Sequence, residues 1–323
     1  LAIHGTGFTV ADADEAGSGA TATLSVVEGT ITVVVGDSGV SISGGNGTGT
    51  VSLSGTIAQL DNLLTAAGTG TITYFNGSDT PAASTTFTVT VNDSGNTGTD
   101  PGLSGGPADE EGTNNVTINI TATNDDPTNA GSLPTDIAVT EDVSSNVDLS
   151  AVDFSDVDAA SGSLTVTLTT STGGDLSAAA GTGITLGGTP TALTVSGNLT
   201  DLNNYSNTAS NITYLHGTPH TNGDNADTIQ VEISDNGNTG TGGGTDINLG
   251  TVNVDITAIN DDPTNAGSLP SDIAVTEDVS SNVDLSAVDF SDVDAASGSL
   301  TVTLTTSTGG NLSAAAGTGI TLG

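Results

Sequence analysis

Carboxylates recur at fixed places along this chain. An Asp-x-Asp pair appears three times, as Asp12/Asp14, Asp156/Asp158 and Asp292/Asp294. A lone Asp closes a β-like run just before a Gly-rich stretch, at Asp93 and again at Asp235. The tripeptide Asn-Asp-Asp, with Pro directly after it, occurs as Asn124, Asp125, Asp126 and as Asn260, Asp261, Asp262. All of these are hard oxygen donors. Alternate residues of an extended segment point to the same side, so an Asp-x-Asp pair is expected to offer both carboxylates to one ion. Calcium takes six to eight oxygens at about 2.3–2.6 Å. No single feature supplies that number, but the three together can. The competing reading for any one Asp is a turn, its side chain accepting local backbone N–H groups.

The rest of the composition sharpens this choice. The chain has 38 Asp and Glu, no Lys and no Arg, for a net charge of −38 over 323 residues. An ordinary chain of this length carries roughly 40 basic residues. Two carboxylates about 5 Å apart repel by roughly 1 kcal/mol in water and several times more near a protein surface. Compensation must come from dispersal, from salt or from bound cations. The same charge argues against nucleic acid, whose phosphates attract basic patches, and against anionic lipid. Without Cys there are no disulfides, thiolate zinc sites or thiol nucleophiles. Without Lys there are neither Schiff bases nor Lys–Asn isopeptide staples. No apolar run reaches the 18 residues of a membrane span. Three His occur, at His4, His216 and His220. Gly and Pro between the last two forbid a helix that would present both to zinc, so they are expected in a surface loop. No Ser-His-Asp set or nucleophile elbow is visible, and near-identical copies suit a mechanical element better than an enzyme.

The elements that must position the carboxylates are legible as β-structure. Short alternating, β-branched runs recur at Ile31–Val35, Thr71–Phe75, Phe87–Val91, Val116–Thr121, Leu164–Thr169, Ile229–Ile233 and Val252–Ile256, with Gly, Asn, Asp, Ser and Thr between them. Period-two runs at this spacing predict an antiparallel sandwich. The stretch from Ile57 instead spaces its apolar residues at three and four, which predicts a short helix, and its counterpart begins near Leu199.

The elements also repeat. The 61 residues from Pro127 to Gly187 return from Pro263 to Gly323 with an offset of 136, differing only at Thr135/Ser271 and Asp175/Asn311. A diverged copy fills the first 126 residues. The expected organisation is a module over 1–126 lacking its first strand, a whole module over 127–262 and the front of a third over 263–323, an excerpt of something longer. The Asn-Asp-Asp linkers are too short to let modules tumble freely, and they put carboxylates where two domain ends meet.

The stretches DADEAG, VTVNDSGNTGT, NGSDT and ITATNDDP resemble cadherin repeats, and more closely the cadherin-like tandem repeats of giant bacterial surface adhesins. The resemblance covers essentially the whole chain. It implies all-β, tandem Ig/cadherin-like antiparallel sandwiches with a short helical connection in each, and Ca2+ at the junctions. Glu141 and Glu277, in AVTED, resemble the opening-strand glutamate that serves the downstream junction of its own module. Carried over in this way, Asp12, Asp14 and Asp93 face an upstream module, while Asn124, Asp125, Asp126, Asp156, Asp158 and Asp235 form a second site. Glu141, Asn260, Asp261, Asp262, Asp292 and Asp294 form a third, and Glu277 serves a junction beyond Gly323. The family's Asp-Arg-Glu motif has no match, and Ala122 and Ala258 replace the linker's first Asp, so one or two ions per junction are expected rather than three. The implied role is a calcium-stiffened stalk of a secreted adhesin or surface fibre, without enzymatic activity. Its partners are neighbouring modules of the same polypeptide. A self-assembling sheath of identical chains and an array of carbohydrate- or protein-binding modules are the alternatives.

Overall fold

The computed structural model describes residues 1–3, 5, 7–12, 17, 19–93 and 111–323. Alternation decides the strands. β1 (Gly19–Val26), β2 (Thr30–Val34), β3 (Ser41–Gly44), β4 (Thr50–Thr56), β5 (Thr71–Phe75), β6 (Ser84–Asn92) and β7 (Glu111–Asn119) build the first β-sandwich. Its larger sheet runs β3-β4-β1-β6-β7, and β2-β5 form the pair that completes it. Every one of these pairings is antiparallel. Inward residues Ala22, Leu24, Ile31, Val33, Val51, Leu53, Ile72 and Phe87 are buried in one cluster, each Val, Leu, Ile or Phe side chain contributing about 1.5–3 kcal/mol.

The second sandwich repeats the plan with more elements. The short strands β8 (Thr128–Asn129) and β11 (Phe154–Ser155) pair with each other. β9 (Asp136–Thr140) and β10 (Ser145–Asn146) precede β12 (Ser163–Thr170), β13 (Gly174–Ala178), β14 (Thr185–Thr189), β15 (Ala192–Asn198), β16 (Ile212–His216), β17 (Gly223–Ser234) and β18 (Ile247–Thr257). The sheets run β14-β15-β12-β17-β18-β9 and β10-β16-β13. β9 lies parallel to β18, Thr140 opposite Thr257, which carries Glu141 to the end of the sheet where the chain leaves for the next linker. Leu164, Val166, Leu168, Ile229, Val231, Ile233, Val252 and Val254 form the buried spine. The chain is therefore an all-β protein of Ig/cadherin-like antiparallel sandwiches.

Both expected helical connections are present, α1 (Ile57–Leu64) and α2 (Leu199–Ser206). In α1, Thr56 and Gln59 form a reciprocal capping box, and Leu60, Leu63 and Leu64 face the core. Asn198 caps α2 by accepting from Asp201 N at 2.9 Å. A cap of this kind contributes about 1 kcal/mol.

After Pro263 only β19 (Thr264–Asn265) and β20 (Phe290–Ser291) pair. Phe290, Leu300, Val302 and Leu304 are exposed there, although their sequence twins Phe154, Leu164, Val166 and Leu168 are buried. The stretch 263–323 has no counterparts of β15, β17 and β18 to cover them. Among the described residues, no helix is long and apolar enough to cross a membrane.

Candidate metal centre

Both linkers are built alike. Asn124 Nδ2 donates to the carbonyl of Asp125 at 3.0 Å, and Asn260 Nδ2 does the same to Asp261 at 3.0 Å. The amide of Asp125 donates to Asp158 Oδ2 at 3.1 Å, and that of Asp261 to Asp294 Oδ2. Each linker is thereby tied to the Asp-x-Asp pair that follows it by 33 residues.

The pair itself departs from the expected extended geometry. Asp156 Oδ1 accepts the amides of Asp158 at 3.1 Å and Ala159 at 2.9 Å, and Asp292 Oδ1 repeats this with Asp294 at 2.9 Å and Ala295 at 2.8 Å. Asp156 and Asp292 thus each close a turn, as short side chains that bond local amides do. The turn still leaves Asp156 and Asp158 close together. Burial, and then the neighbouring Asp158 carboxylate, pushes Asp156 up to about 6.

Asp235 reaches the first linker from the end of β17. It is wholly buried (0 % exposed). Its Oδ1 accepts from Gly237 N and Gly244 N, each at 3.0 Å. Burial works to raise its pKa, but these amides and the Asn124 side chain outweigh it and hold the carboxyl below its usual range. The Gly-rich turn approaches the linker closely. Thr241 N donates to Ala122 O at 2.9 Å and Asn124 N to Thr241 O at 3.2 Å. A Cβ on Gly243, whose φ is +72°, would run into the Asn124 side chain, so only glycine suits that approach.

What remains is a set of oxygens without donors. Asn124 Oδ1, Asp156 Oδ2, Asp158 Oδ1 and Asp235 Oδ2 are all shut off from solvent and make no well-formed hydrogen bond among the described residues. Asp158 is only 4 % exposed. A buried charge needs a pair or a metal, and no ammonium or guanidinium exists in this chain. Oxygen-only donors of this kind suit a hard divalent cation such as calcium.

At the second linker the preceding sandwich joins in. Glu141, just past β9, is 1 % exposed. Its Oε1 accepts from Ile259 N at 2.7 Å and its Oε2 from Asn222 Nδ2 at 3.0 Å. Glu141, Asp261 and Asp294 each offer an oxygen within 4.8 Å of the others, a group that could hold a metal ion. The opening-strand glutamate, the linker and the Asp-x-Asp pair therefore meet.

The other expected donors lie outside the two groups of ligand atoms found among the described residues. Asp126 and Asp262 are exposed and belong to neither cluster of ligand atoms. Glu277 is exposed on the stretch after Pro263. Asp12 and Asp93 are partly buried in the first sandwich, and Asp14 lies outside the described residues.

One participant was not expected. His220, in the loop after β16, is indeed at the surface, yet its Nδ1 lies 2.7 Å from Asp261 Oδ2 and 3.2 Å from Asp142 Oδ2. Sequence periodicity carries no signal for this, because the three residues are brought together from positions 142, 220 and 261. His216, by contrast, is buried at the end of β16.

The sequence matches no protein-family model and no curated protein. Among solved structures, the extracellular cadherin domains 1–5 of protocadherin gamma B2 align with 77% of this chain at 13% identity and a TM-score of 0.29. The protocadherin gamma B4 extracellular domain aligns with 76% at 12% identity and a TM-score of 0.24. A chimeric titin Z1Z2 aligns with 76% at 9% identity and a TM-score of 0.17, over 90% of its own length. This chain spans 35% of the gamma B2 structure and 30% of the gamma B4 structure.

Proposed function

We propose that this chain is part of an extracellular stalk or surface fibre of the adhesin type, whose junctions are stiffened by calcium. The units are modules 1–126, 127–262 and 263–323 of one longer polypeptide, and each linker with its neighbouring carboxylates is a binding site. The observation that carries this reading is the meeting of Glu141, Asp261 and Asp294, whose ligand oxygens lie within 4.8 Å of one another at the second linker, in a chain with no basic side chain except three His; at the first linker Asn124, Asp156, Asp158 and Asp235 each keep a solvent-shielded oxygen without a well-formed hydrogen bond.

The first site draws on Asn124, Asp125, Asp156, Asp158 and Asp235, and the second on Glu141, Asp261, Asp292 and Asp294 with Asn260. Asp12, Asp14 and Asp93 serve an upstream site, and Glu277 a downstream one. Asp126 and Asp262 contribute charge beside the linkers. Bound calcium neutralises the clustered carboxylates and ties a linker to the sandwich ends on either side. Because only the ordered junction offers these oxygens together, occupancy adds stability by mass action. Function follows mechanically: a string of short-linked sandwiches resists bending and keeps a distant tip away from the cell.

The test is a thermal melt and a small-angle scattering profile of this chain in millimolar calcium and again in chelator. Calcium is expected to raise the melting temperature and lengthen the particle. The same melt and the same scattering curve in both conditions would sink the proposal and leave the acids as a solvated surface.

A further inference from the structure

The second linker carries a cluster that oxygen-only chemistry does not explain. Asp142, His220 and Asp261 each offer a ligand atom within 4.8 Å of the others. His220 Nδ1 faces both carboxylates, at 3.2 Å from Asp142 Oδ2 and 2.7 Å from Asp261 Oδ2. Asp261 Oδ2 is closed to solvent, and no geometrically sound hydrogen bond satisfies it. The His220 amide donates to Asp142 Oδ1 at 3.4 Å, which fixes the loop against the turn after β9. The three side chains are 25 to 38 % exposed, so an ion can reach them.

From this arrangement we infer that Asp142, His220 and Asp261 form a second metal site, selective for a borderline first-row divalent ion such as zinc rather than for calcium. Imidazole nitrogen is a ligand of choice for zinc, and calcium takes oxygen. Zinc holds nitrogen and carboxylate oxygen at about 2.0–2.2 Å, which in a tetrahedron sets the donors about 3.3–3.5 Å apart. The separation between His220 Nδ1 and Asp142 Oδ2 is already close to that value. Asp261, at 2.7 Å, needs to move away from the ring by roughly 0.6–0.8 Å. Two donors come from the second sandwich and one from the linker, so zinc pins the linker to the module before it. Water completes the fourth position.

Calcium and zinc at this linker are separable experimentally. The whole chain is titrated with zinc in the presence of millimolar calcium, which fills oxygen-only sites, and zinc uptake is followed by competition with a chromophoric chelator. His220→Asn and Asp142→Asn are compared with the parent. Both positions have φ near +60°, a conformation Asn accepts, so the fold should survive. The parent is expected to take up one zinc that calcium does not displace, and each variant to bind it at least tenfold more weakly. Nitrogen NMR of the parent should show zinc shifting His220 Nδ1. Because Glu141, Asp292 and Asp294 are untouched, the calcium-dependent melt of His220→Asn should match the parent's, so this inference can fail without the calcium reading failing. Zinc uptake that is equal in parent and variants, or that vanishes once calcium is present, would overturn it.

Discussion

The second sandwich buries carboxylates in two regions and treats them in opposite ways. Within the sandwich, Asp227 is 1 % exposed and accepts six hydrogen bonds. They come from Ser171 N at 3.0 Å, Ser171 Oγ at 2.8 Å, Thr172 N at 2.8 Å, Thr228 N at 2.7 Å, Gly174 N at 3.1 Å and the Tyr214 hydroxyl at 2.9 Å. Burial works to raise its pKa, but the donors outweigh burial and hold it at about 2. At the linker end, Asp156, Asp158 and Asp235 keep donorless oxygens, and Asp156 is pushed up rather than down. The difference separates structure from function. An acid that the protein saturates with its own donors has a folding role, whereas an acid that keeps a dry oxygen without a well-formed bond is the kind that the proposed calcium would serve.

The largest expected effect breaks the saturated region. Asp227→Asn keeps the size but turns one acceptor into a donor facing donors. Unmade bonds to a buried charge cost about 1–3 kcal/mol each after partial relaxation, so a loss of about 3 kcal/mol is expected. Denaturant unfolding of the chain checks it. The loss should be the same in calcium and in chelator. A calcium-dependent loss would mean that the two regions are not distinct.

Asp158→Asn probes the other region with the reverse expectation. The amide nitrogen can replace the donorless oxygen while Oδ2 still accepts from Asp125 N. In chelator the variant should melt no lower than the parent. In calcium it should lose part of the parent's gain, which at a hundredfold excess over Kd amounts to about 2.7 kcal/mol per site. A variant that gains as much from calcium as the parent would remove Asp158 from the site.

Acid should act on Asp227 in a narrow window. Its folded pKa of about 2 lies below the ordinary value of 3.8. Its contribution is therefore fully present above about pH 4 and is lost as pH falls toward 2. The linkage is worth about 2 kcal/mol. Subtracting the stability curve of Asp227→Asn from that of the parent between pH 5 and 2 isolates the term. A flat difference would show that Asp227 is not held down by its donors.

Much of this architecture was legible in the residues, and the exceptions have physical reasons. Alternating β-branched runs located β2, β5, β6, β7, β12, β17 and β18, and the three-and-four spacing from Ile57 and Leu199 located both helices. β3 and β14 have no apolar alternation, since Gly and Ser dominate Ser41–Gly44 and Thr185–Thr189, and β1, β4, β9, β10, β13, β15 and β16 are also absent from the runs named from sequence. The Asp-x-Asp pairs were found, but their turn geometry was not. An extended segment and an Asx-type turn place the same letters two apart, and only the backbone distinguishes them. Asp227 drew no notice since its neighbours Asn225, Ala226 and Thr228 read as an ordinary polar strand start. His220 lies in the surface loop that the neighbouring Gly217 and Pro219 predict. Its approach to Asp142 and Asp261 depends on β9 pairing in parallel with β18, a long-range contact that no local pattern encodes.

The smallest effects compare matched tyrosines in the two sandwiches. Tyr214, opposite Leu176, and Tyr74, opposite Ile31, occupy the same place in their sheets. Thr85 stands two residues before Phe87, as Asp227 stands two before Ile229, and Phe87 and Ile229 pair with Val26 and Thr170. The first sandwich thus has a hydroxyl where the second has the saturated carboxylate. The Tyr214 hydroxyl is bonded to Asp227, but the Tyr74 hydroxyl is buried without a well-formed partner, facing Asn76 and the Glu28 charge. Tyr214→Phe should therefore cost about 1.5 kcal/mol, the low end for a hydrogen bond to a charged group, since Asp227 keeps its five other donors. Tyr74→Phe removes a hydroxyl that burial leaves unsatisfied, so it should be neutral or stabilise slightly. Parallel melts of the two variants decide it. Equal losses would mean that Tyr74 has a bonding partner after all, and that the first sandwich replaces the Asp227 network instead of doing without it.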